Sequence, residues 1–415
     1  MITQVLPFVD LKHLVITPAL LDPNSMVAVI GDLSKFSPHR IAVINSRQRR
    51  LPSADDPWLA ATAAAVDRAI SSNATIISSV GMIIWEWVVW NTARQHGYQI
   101  IVMPRSRVGT LQDRARQIIH DFDLDAGRTA FLMPFSPKDK PFRRLVYPER
   151  DRWVIALAHS IRPVAVNRSG TISRLLSELA LSKIIDTSCQ IAVSNVRRQK
   201  DVLKLLVSKT PNPENGMESR HGTSDWKDSR KYLTHWTRAC HGPWPGEYST
   251  DFYMDLHRSK TGYPRDGIST LRRMLTECKI RASGRMMPGG APMISLTATS
   301  PDELLKIIRW RPGYIRWNFE PYGISIRKEI LESLGAKKVI YGTKNHFEGL
   351  DSPQRPFFQR ITQDKDWSVE KEWRLPGDLS LGGLNSNDVV VWVLNSDQVT
   401  EIQNVSPFPV IALRR

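Results

Sequence analysis

At 415 residues the chain is too long for one ordinary domain and implies two, or even three. Its 41% hydrophobic content supports packed cores and excludes global disorder. The formal charge of +16 suits polyanionic partners, nucleic acid or phosphate-bearing nucleotides, although charge alone also fits a generically basic protein. No apolar run reaches the roughly 20 residues that span a bilayer. The longest candidate, Ile76 to Val89, is interrupted by Glu86. The opening segment MITQVLPFVDLKHLVITP has neither a basic n-region nor a small-residue cleavage site, so no signal peptide is read and a cytoplasmic location is expected. Cys189, Cys240 and Cys278 are widely spaced and form no CxxC pair or disulfide framework, which fits reduced thiols, and the lack of a Cys/His cluster with ligand spacing argues against a structural zinc site.

The first half alternates strand and helix. Met26-Val-Ala-Val-Ile-Gly31 reads as a strand entering a turn, and Ile41–Ile44 as a second strand. Pro57 opens an Ala-rich helix over Trp58–Ile70. Ala74–Ser79 is a third strand; Gly81 follows, then a helix from Ile83 to His96 closed by Gly97. Tyr98–Met103 and Thr129–Met133 read as strands, Asp151–Ser160 as a helix, Pro163–Val166 as a strand and Thr171–Ser182 as a helix. Apolar strands separated by helices predict an α/β fold, a doubly wound Rossmann-like parallel sheet covered on both faces, with ligand sites at the C-terminal strand ends. Residues 208–229 are polar, rich in Pro, Gly and Asn, and lack periodicity. The expected organisation is a nucleotide-binding domain over 1–205, a linker over 206–230, and a separate α+β domain over 231–415.

Three strand ends in the first half carry small or polar residues: Gly31-Asp-Leu-Ser34, Asn45-Ser-Arg-Gln48 and Ser78-Ser-Val-Gly81. Glycine after a strand lets backbone approach a phosphate, and a following helix N-terminus favours its charge. The G-x-G-x-x-G fingerprint is absent, which argues against NAD dehydrogenase chemistry. The VAVIG strand, the INSRQ segment and the ISSVGMIIWE strand–loop–helix, within roughly 26–192, resemble the SLOG superfamily, relatives of DNA-processing protein A and of the lysine-decarboxylase-like nucleotide hydrolases. That resemblance implies a site for a nucleotide-derived ligand or nucleic acid lined by Gly31, Ser46, Arg47, Ser79, Gly81 and Glu86. The hydrolase signature, an Arg plus Gly-Gly-x-Gly-T-x-x-E, is not present. The plain alternative is that the glycines make tight βα turns and Glu86 is an ordinary helix residue.

In the second half, Tyr232–Arg238 (YLTHWTR) sets a His in a strand-like run, and Ile268–Leu275 has helical spacing. Pro292–Thr297, Phe319–Ile326 and Val339–Tyr341 read as strands. Trp367–Arg374 (WSVEKEWR), if extended, puts Glu370 and Glu372 on one face. The order of His, helix, aromatic–Gly strands and late Glu resembles the ADP-ribosyltransferase superfamily, DarT-type enzymes in particular. The Tyr-Gly-Ile and Trp-x-x-Glu-x-Glu-Trp-Arg pieces are similar to an AbiGi-like abortive-infection family of phage-defence proteins. The resemblance implies an NAD-dependent effector in which His235 contacts NAD and Tyr322 stacks on nicotinamide. Glu372, in preference to Glu370, would be the catalytic carboxylate, and Arg238 or Arg285 would meet the pyrophosphate. Structural roles compete: His235 as a hydrogen-bonded structural histidine, Glu372 as a partner of Arg374, Tyr322 as turn packing.

Other constellations carry less. No nucleophile elbow or Walker loop occurs. His120, Asp121, Asp123 and Asp125 read as an acidic helix–loop junction rather than a metal site. Arg309–Trp317 interleaves Arg with aromatics, which suits either base stacking or a packed helix end. The leading expectation is an anti-phage defence protein in which a nucleotide-sensing domain controls an NAD-dependent ADP-ribosyltransferase-like effector. The alternative is a non-enzymatic nucleic-acid-binding protein related to DNA-processing protein A. The expected partners are a nucleotide-derived ligand and nucleic acid, with no membrane and no metal; homo-oligomerisation is left open.

Overall fold

The computed structural model describes residues 3–104, 111–135, 143–178, 185–193, 223–284, 287–311, 316–361 and 368–414. The chain forms two compact units, Met1–Val196 with Gly242–Pro264, and Arg197–His241 with Arg265–Arg415. Among the described residues no helix is long and apolar enough to cross a membrane.

The first unit contains β1 (Thr3–Pro7), β2 (Met26–Ile30), β3 (Arg40–Ile44), β4 (Thr75–Ser79), β5 (Gln99–Val102), β6 (Thr129–Phe135) and β7 (Ser160–Pro163). Its helices include α1 (Pro57–Ser71), α2 (Ile83–Arg94), α3 (Leu111–Phe122), α4 (Arg143–Leu157) and α5 (Thr171–Glu178). The sheet order is β1-β2-β6-β5-β4-β3-β7. Strands β6, β5, β4, β3 and β7 run parallel, and β3, β4 and β5 are buried along their whole length. Burial on both faces is why their sequences are continuous apolar runs rather than alternating ones. This is the predicted Rossmann-like α/β arrangement, and the strand order, not the strand direction, reverses between β3 and β7.

Two predictions shift. The last parallel strand is Ser160–Pro163, three residues earlier than expected, because Ile41–Ile44 pair with Ser160–Pro163. Larger in consequence, β2 runs antiparallel to β6, with Met26 opposite Phe135 and Ile30 opposite Phe131. An antiparallel strand ends where its parallel neighbours begin, so Gly31 lies beside Thr129 and Ala130 at the start of β6.

The excursion Gly242–Pro264 belongs to this first unit, although the sequence places it with the second half. Its helix α6 (Ser249–Arg258) buries Phe252, Tyr253 and Leu256 in the core cluster that holds Trp87 and Trp90. Trp87 and Trp90 stack at 5.2 Å, and Tyr253 lies 6.1 Å from the Trp87 ring. Aromatic burial of this size outweighs proximity in sequence.

The second unit is built on a mostly antiparallel sheet of β8 (Tyr232–Trp236), β9 (Met293–Thr297), β10 (Gly323–Arg327), β11 (Lys337–Lys338), β12 (Glu372–Pro376), β13 (Val389–Val393) and β14 (Val410–Ala412). The order is β11-β12-β9-β8-β10-β13-β14. Helix α7 (Gly267–Thr276) packs Leu271 and Leu275 into a core with Leu233, Ile324, Ile326 and Val391. Gly323 is required where β10 pairs with β8 opposite Trp236, since a Cβ there would lie 2.6 Å from the Trp236 ring and 2.9 Å from the His235 carbonyl.

Candidate functional site

The strand ends of the first unit were the first candidates. Ser46 and Arg47 follow β3, and Ser79 and Gly81 close β4, so these four lie at the C-terminal edge of the parallel sheet. Gly31 does not join them, because its strand runs the other way. Ser79 is buried and its hydroxyl donates to the Val102 carbonyl at 2.7 Å. The Ser46 hydroxyl accepts from the Asn167 amide at 2.9 Å, tying β3 to the segment after β7. Gly81 has φ +95°, and its amide donates to Glu86 Oε1 at 2.8 Å. The Tyr253 hydroxyl donates to Glu86 Oε2 at 2.6 Å. Burial and the adjacent Glu86 carboxylate push the Tyr253 phenol well above its ordinary pKa. Glu86 therefore holds a turn and a helix together. Arg47 is exposed.

Near that edge Arg150 is buried, chelates Asp151 at 2.7 and 3.0 Å, and lies 5.3 Å over the Trp85 ring. Burial raises the Asp151 pKa, against the opposing pull of Arg150 and Arg47. No sequence motif marks this pair.

In the second unit, three predicted residues meet. A cavity of about 230 Å³ is lined by His235 and Arg238 from β8 and its extension, and by Glu372 at the start of β12. Glu370, Arg374, Ser295, Thr297 and Gln359 contribute too, as do Arg311 and Arg316 from a short antiparallel pair, Trp310–Arg311 with Arg316–Trp317, and Asn318 just after it. Pairing of Ser295 with Arg374 and Thr297 with Glu372 aligns the polar residues of β9 and β12. Within the Arg309–Trp317 stretch, which follows the end of the helix Pro301–Ile307, Trp310–Arg311 pairs antiparallel with Arg316–Trp317; residues 312–315 lie outside the described ones. So does Arg285.

His235 Nδ1 lies 2.8 Å from the Ser295 carbonyl. A carbonyl can only accept, so Nδ1 carries the proton and Nε2 keeps its lone pair. Burial lowers the His235 pKa to about 4, with a smaller push from Arg238, and the ring is neutral at physiological pH. Arg238 donates to the Asn318 carbonyl at 3.3 Å and makes no ion pair among the described residues. Four arginines (Arg238, Arg311, Arg316, Arg374) face two carboxylates (Glu370, Glu372), so the lining carries an excess of two positive charges.

The two carboxylates differ. Glu372 Oε1 accepts from Arg374 Nε at 2.9 Å and from the Ser295 hydroxyl at 3.1 Å, while Oε2 is 3.4 Å from the same guanidinium. Arg374 is buried and also donates to the Pro356 and Phe358 carbonyls and to Gln359. Glu370 Oε1 accepts from Arg311 at 2.6 Å and Asn318 at 3.3 Å. The two do not share one extended strand as predicted: Ser368–Glu370 is a 3-10 turn, Lys371 has φ +42°, and β12 begins at Glu372.

Tyr322 is not part of this cavity. It is buried beside Leu271 and Leu275, and its hydroxyl accepts from Gln398 at 3.2 Å. Burial raises its pKa to about 12. The aromatic residues at the cavity are Trp236 and Phe319. The Trp236 indole N–H is buried and has no hydrogen-bond partner among the described residues. A further buried carboxylate, Glu320, accepts from the Ala239 and Gly267 amides at 2.8 and 3.1 Å. Burial raises its pKa to about 7. No local pattern marks Asn318 or Glu320, and Arg311 belongs to the Arg–aromatic stretch read for base stacking; only the fold brings the three to β8.

Among the described residues no group of three or more His, Cys, Asp or Glu is placed to hold a metal ion. The first unit is thus a Rossmann-like α/β domain, and the second an α+β domain with a cationic, carboxylate-bearing cavity. No protein-family model and no curated protein matches the chain. Among solved structures it is similar to DNA processing protein A from Helicobacter pylori, described for its single-stranded DNA binding mode. Identity is 17%, over 43% of this chain and 77% of that one, with a TM-score of 0.32. It is also similar to DNA processing protein A from Streptococcus pneumoniae, at 15% identity over 45% of this chain and 60% of that one, with a TM-score of 0.31.

Proposed function

We propose that the second unit cleaves NAD at its nicotinamide–ribose bond and transfers ADP-ribose, with the first unit binding a nucleotide-type ligand that controls it. One observation carries the reading: His235, Arg238 and Glu372, named from the sequence for this chemistry, line a single cavity. Its chemistry fits. The excess of two positive charges matches a pyrophosphate, and Arg238, which makes no ion pair among the described residues, is the guanidinium available to it. The neutral His235 ring has an acceptor for a ribose hydroxyl. The unpartnered Trp236 N–H is a donor that a ligand can satisfy.

A cavity of about 230 Å³ is smaller than sites that enclose a whole drug-sized ligand. It would enclose a ribose with part of the pyrophosphate. In the reaction the ribose C1′–nitrogen bond breaks and its electron pair leaves with nicotinamide. An acceptor oxygen or nitrogen closes on C1′ and loses its proton to a carboxylate. A fixed negative charge beside the ribose stabilises the cation-like state between the two events.

The test is incubation of the full chain with labelled NAD and either nucleic acid or lysate. Nicotinamide release with label transfer is the expected result; neither release nor transfer would sink the reading. A role in phage defence belongs to the same proposal, and survival of infected cells with and without the Arg238→Ala variant tests it.

A second reading is favoured by one observation, the formal charge of +16. It makes the protein a non-enzymatic nucleic-acid binder. Affinity for DNA falling steeply with salt, without any effect of NAD or ADP-ribose on stability, would select it.

A further inference from the structure

We propose that Glu370, not Glu372, is the carboxylate that meets the ribose of the ligand, and that Glu372 is a positioning residue. The inference rests on the reading of the cavity given above and reverses the assignment that the sequence favours.

The two side chains are almost equally covered, 14% exposed for Glu370 and 17% for Glu372. Access therefore does not separate them; hydrogen bonding does. Both oxygens of Glu372 face the Arg374 guanidinium, and Oε1 takes the Ser295 hydroxyl as well. Arg374 in turn fastens the Pro356–Gln359 segment to β12 through three further acceptors. A carboxylate bound into such a hub has its charge neutralised and its lone pairs committed. Moving it would strand a buried guanidinium.

Glu370 is held differently. Arg311 and Asn318 both grip Oε1, while Oε2 accepts no hydrogen bond among the described residues. One oxygen is an anchor and the other is open in the cavity. Asn318 also sets the height of Arg238, whose guanidinium donates to its carbonyl, so carboxylate and anion-binding cation share one support. The backbone is bent to make this arrangement. Lys371 adopts φ +42°, which an L side chain rarely takes, and the bend brings consecutive glutamates of the Glu-Lys-Glu run to one cavity. The Thr297 hydroxyl pins the bend by donating to the Glu370 carbonyl at 2.5 Å.

The proton that the acceptor loses as it closes on C1′ goes to Oε2, the ribose hydroxyl that Glu370 orients keeps its own, and the broken bond's electrons go to nicotinamide. No co-reactant beyond NAD and the acceptor is needed.

Two measurements test the assignment. In the first, the native full chain is treated with a water-soluble carbodiimide and an amine, and the modified sites are read by mass spectrometry. Glu370 is expected to label faster than Glu372 by roughly tenfold, because hydrogen bonds to a charged group protect by at least that factor. ADP-ribose is expected to suppress the Glu370 label. Equal labelling, or faster labelling of Glu372, overturns the proposal whatever NAD does. In the second, E370Q and E372Q are compared with the unaltered protein for nicotinamide release and for NAD binding by calorimetry. E370Q is expected to lose about 10²–10³-fold in kcat with little change in KM. E372Q is expected to lower the unfolding temperature and to weaken binding and turnover together. Retention of kcat by E370Q overturns the assignment. Failure of the unaltered protein to release nicotinamide overturns the functional reading instead, and leaves the labelling result to judge Glu370.

Discussion

The strand-end glycine turn of the first unit and the cavity of the second were both marked by polar residues in the sequence, and the fold uses them in opposite ways. In the first unit the hydroxyls and the carboxylate are taken up internally: Ser79 by Val102, Ser46 by Asn167, Glu86 by Gly81 and Tyr253. In the second, among the described residues, His235 keeps a lone pair, Arg238 makes no ion pair and Glu370 Oε2 accepts no hydrogen bond. A polar side chain at a promising position is evidence of a site only while it has bonding capacity left. Where that capacity is spent, the residue supports architecture.

The largest effect is expected at the hub of the second unit. Arg374→Ala strands Glu372 and releases three acceptors, and should cost about 3–5 kcal/mol, read as loss of the second unit's unfolding transition. An unchanged transition would mean that Glu372 is as free as Glu370. Next comes Gly323→Ala. Its Cβ would press the Trp236 ring and a backbone carbonyl, and overpacking of this kind costs about 1–3 kcal/mol. Cavity ligand binding should fall with it, since β8 must shift.

In the first unit Tyr253→Phe removes a hydrogen bond to a charged acceptor and should cost about 1.5–3 kcal/mol by denaturant unfolding, with no change in NAD turnover beyond that. A variant as stable as the parent would return Glu86 to the list of ligand contacts.

The pH dependence sharpens the contrast within the second unit. His235 has its pKa lowered from 6.5 to about 4, so its contribution is full above pH 6.5 and is lost as pH falls toward 4. Glu320 has its pKa raised from 4.5 to about 7, so its contribution is full below pH 4.5 and is lost as pH rises through 7. Between about pH 4.5 and 6.5 the two slopes oppose each other. His235→Gln should unmask the second, with unfolding temperature falling steadily from pH 4.5 to 7. A flat profile in that variant would contradict the Glu320 assignment. The smallest stability effect is expected for exposed Arg47→Ala, within about 0.5 kcal/mol. If the first unit binds nucleic acid there, the salt slope of binding should drop by about one.

Much of the first unit was legible because its signals are local. Parallel strands buried on both faces are apolar throughout, and Pro57 and Gly97 mark helix ends for stereochemical reasons. Strand direction was not legible, and Gly31 shows why: the same five apolar residues can pair either way, and pairing is a property of neighbours. In the second unit the residue types of the site were readable, but not their bonding. Tyr322 was named for its motif position and is core; Glu372 was named for its place beside Trp-Arg and is the partner of Arg374. Arg311 lay in the Arg–aromatic stretch 309–317, which pointed to base stacking rather than to this cavity, and Asn318 had no signal at all.

By itself the sequence determined the alternation of strands and helices in the first half, the change of texture in the second, and the cationic excess, since each follows from composition and short-range periodicity. Tertiary structure alone decided that β2 runs antiparallel, that α6 returns to the first unit, and which oxygens and nitrogens of the cavity stay uncommitted. Those outcomes depend on contacts between residues tens to hundreds of positions apart, where burial of Trp87, Trp90 and Tyr253, or saturation of Arg374, outweighs any local preference.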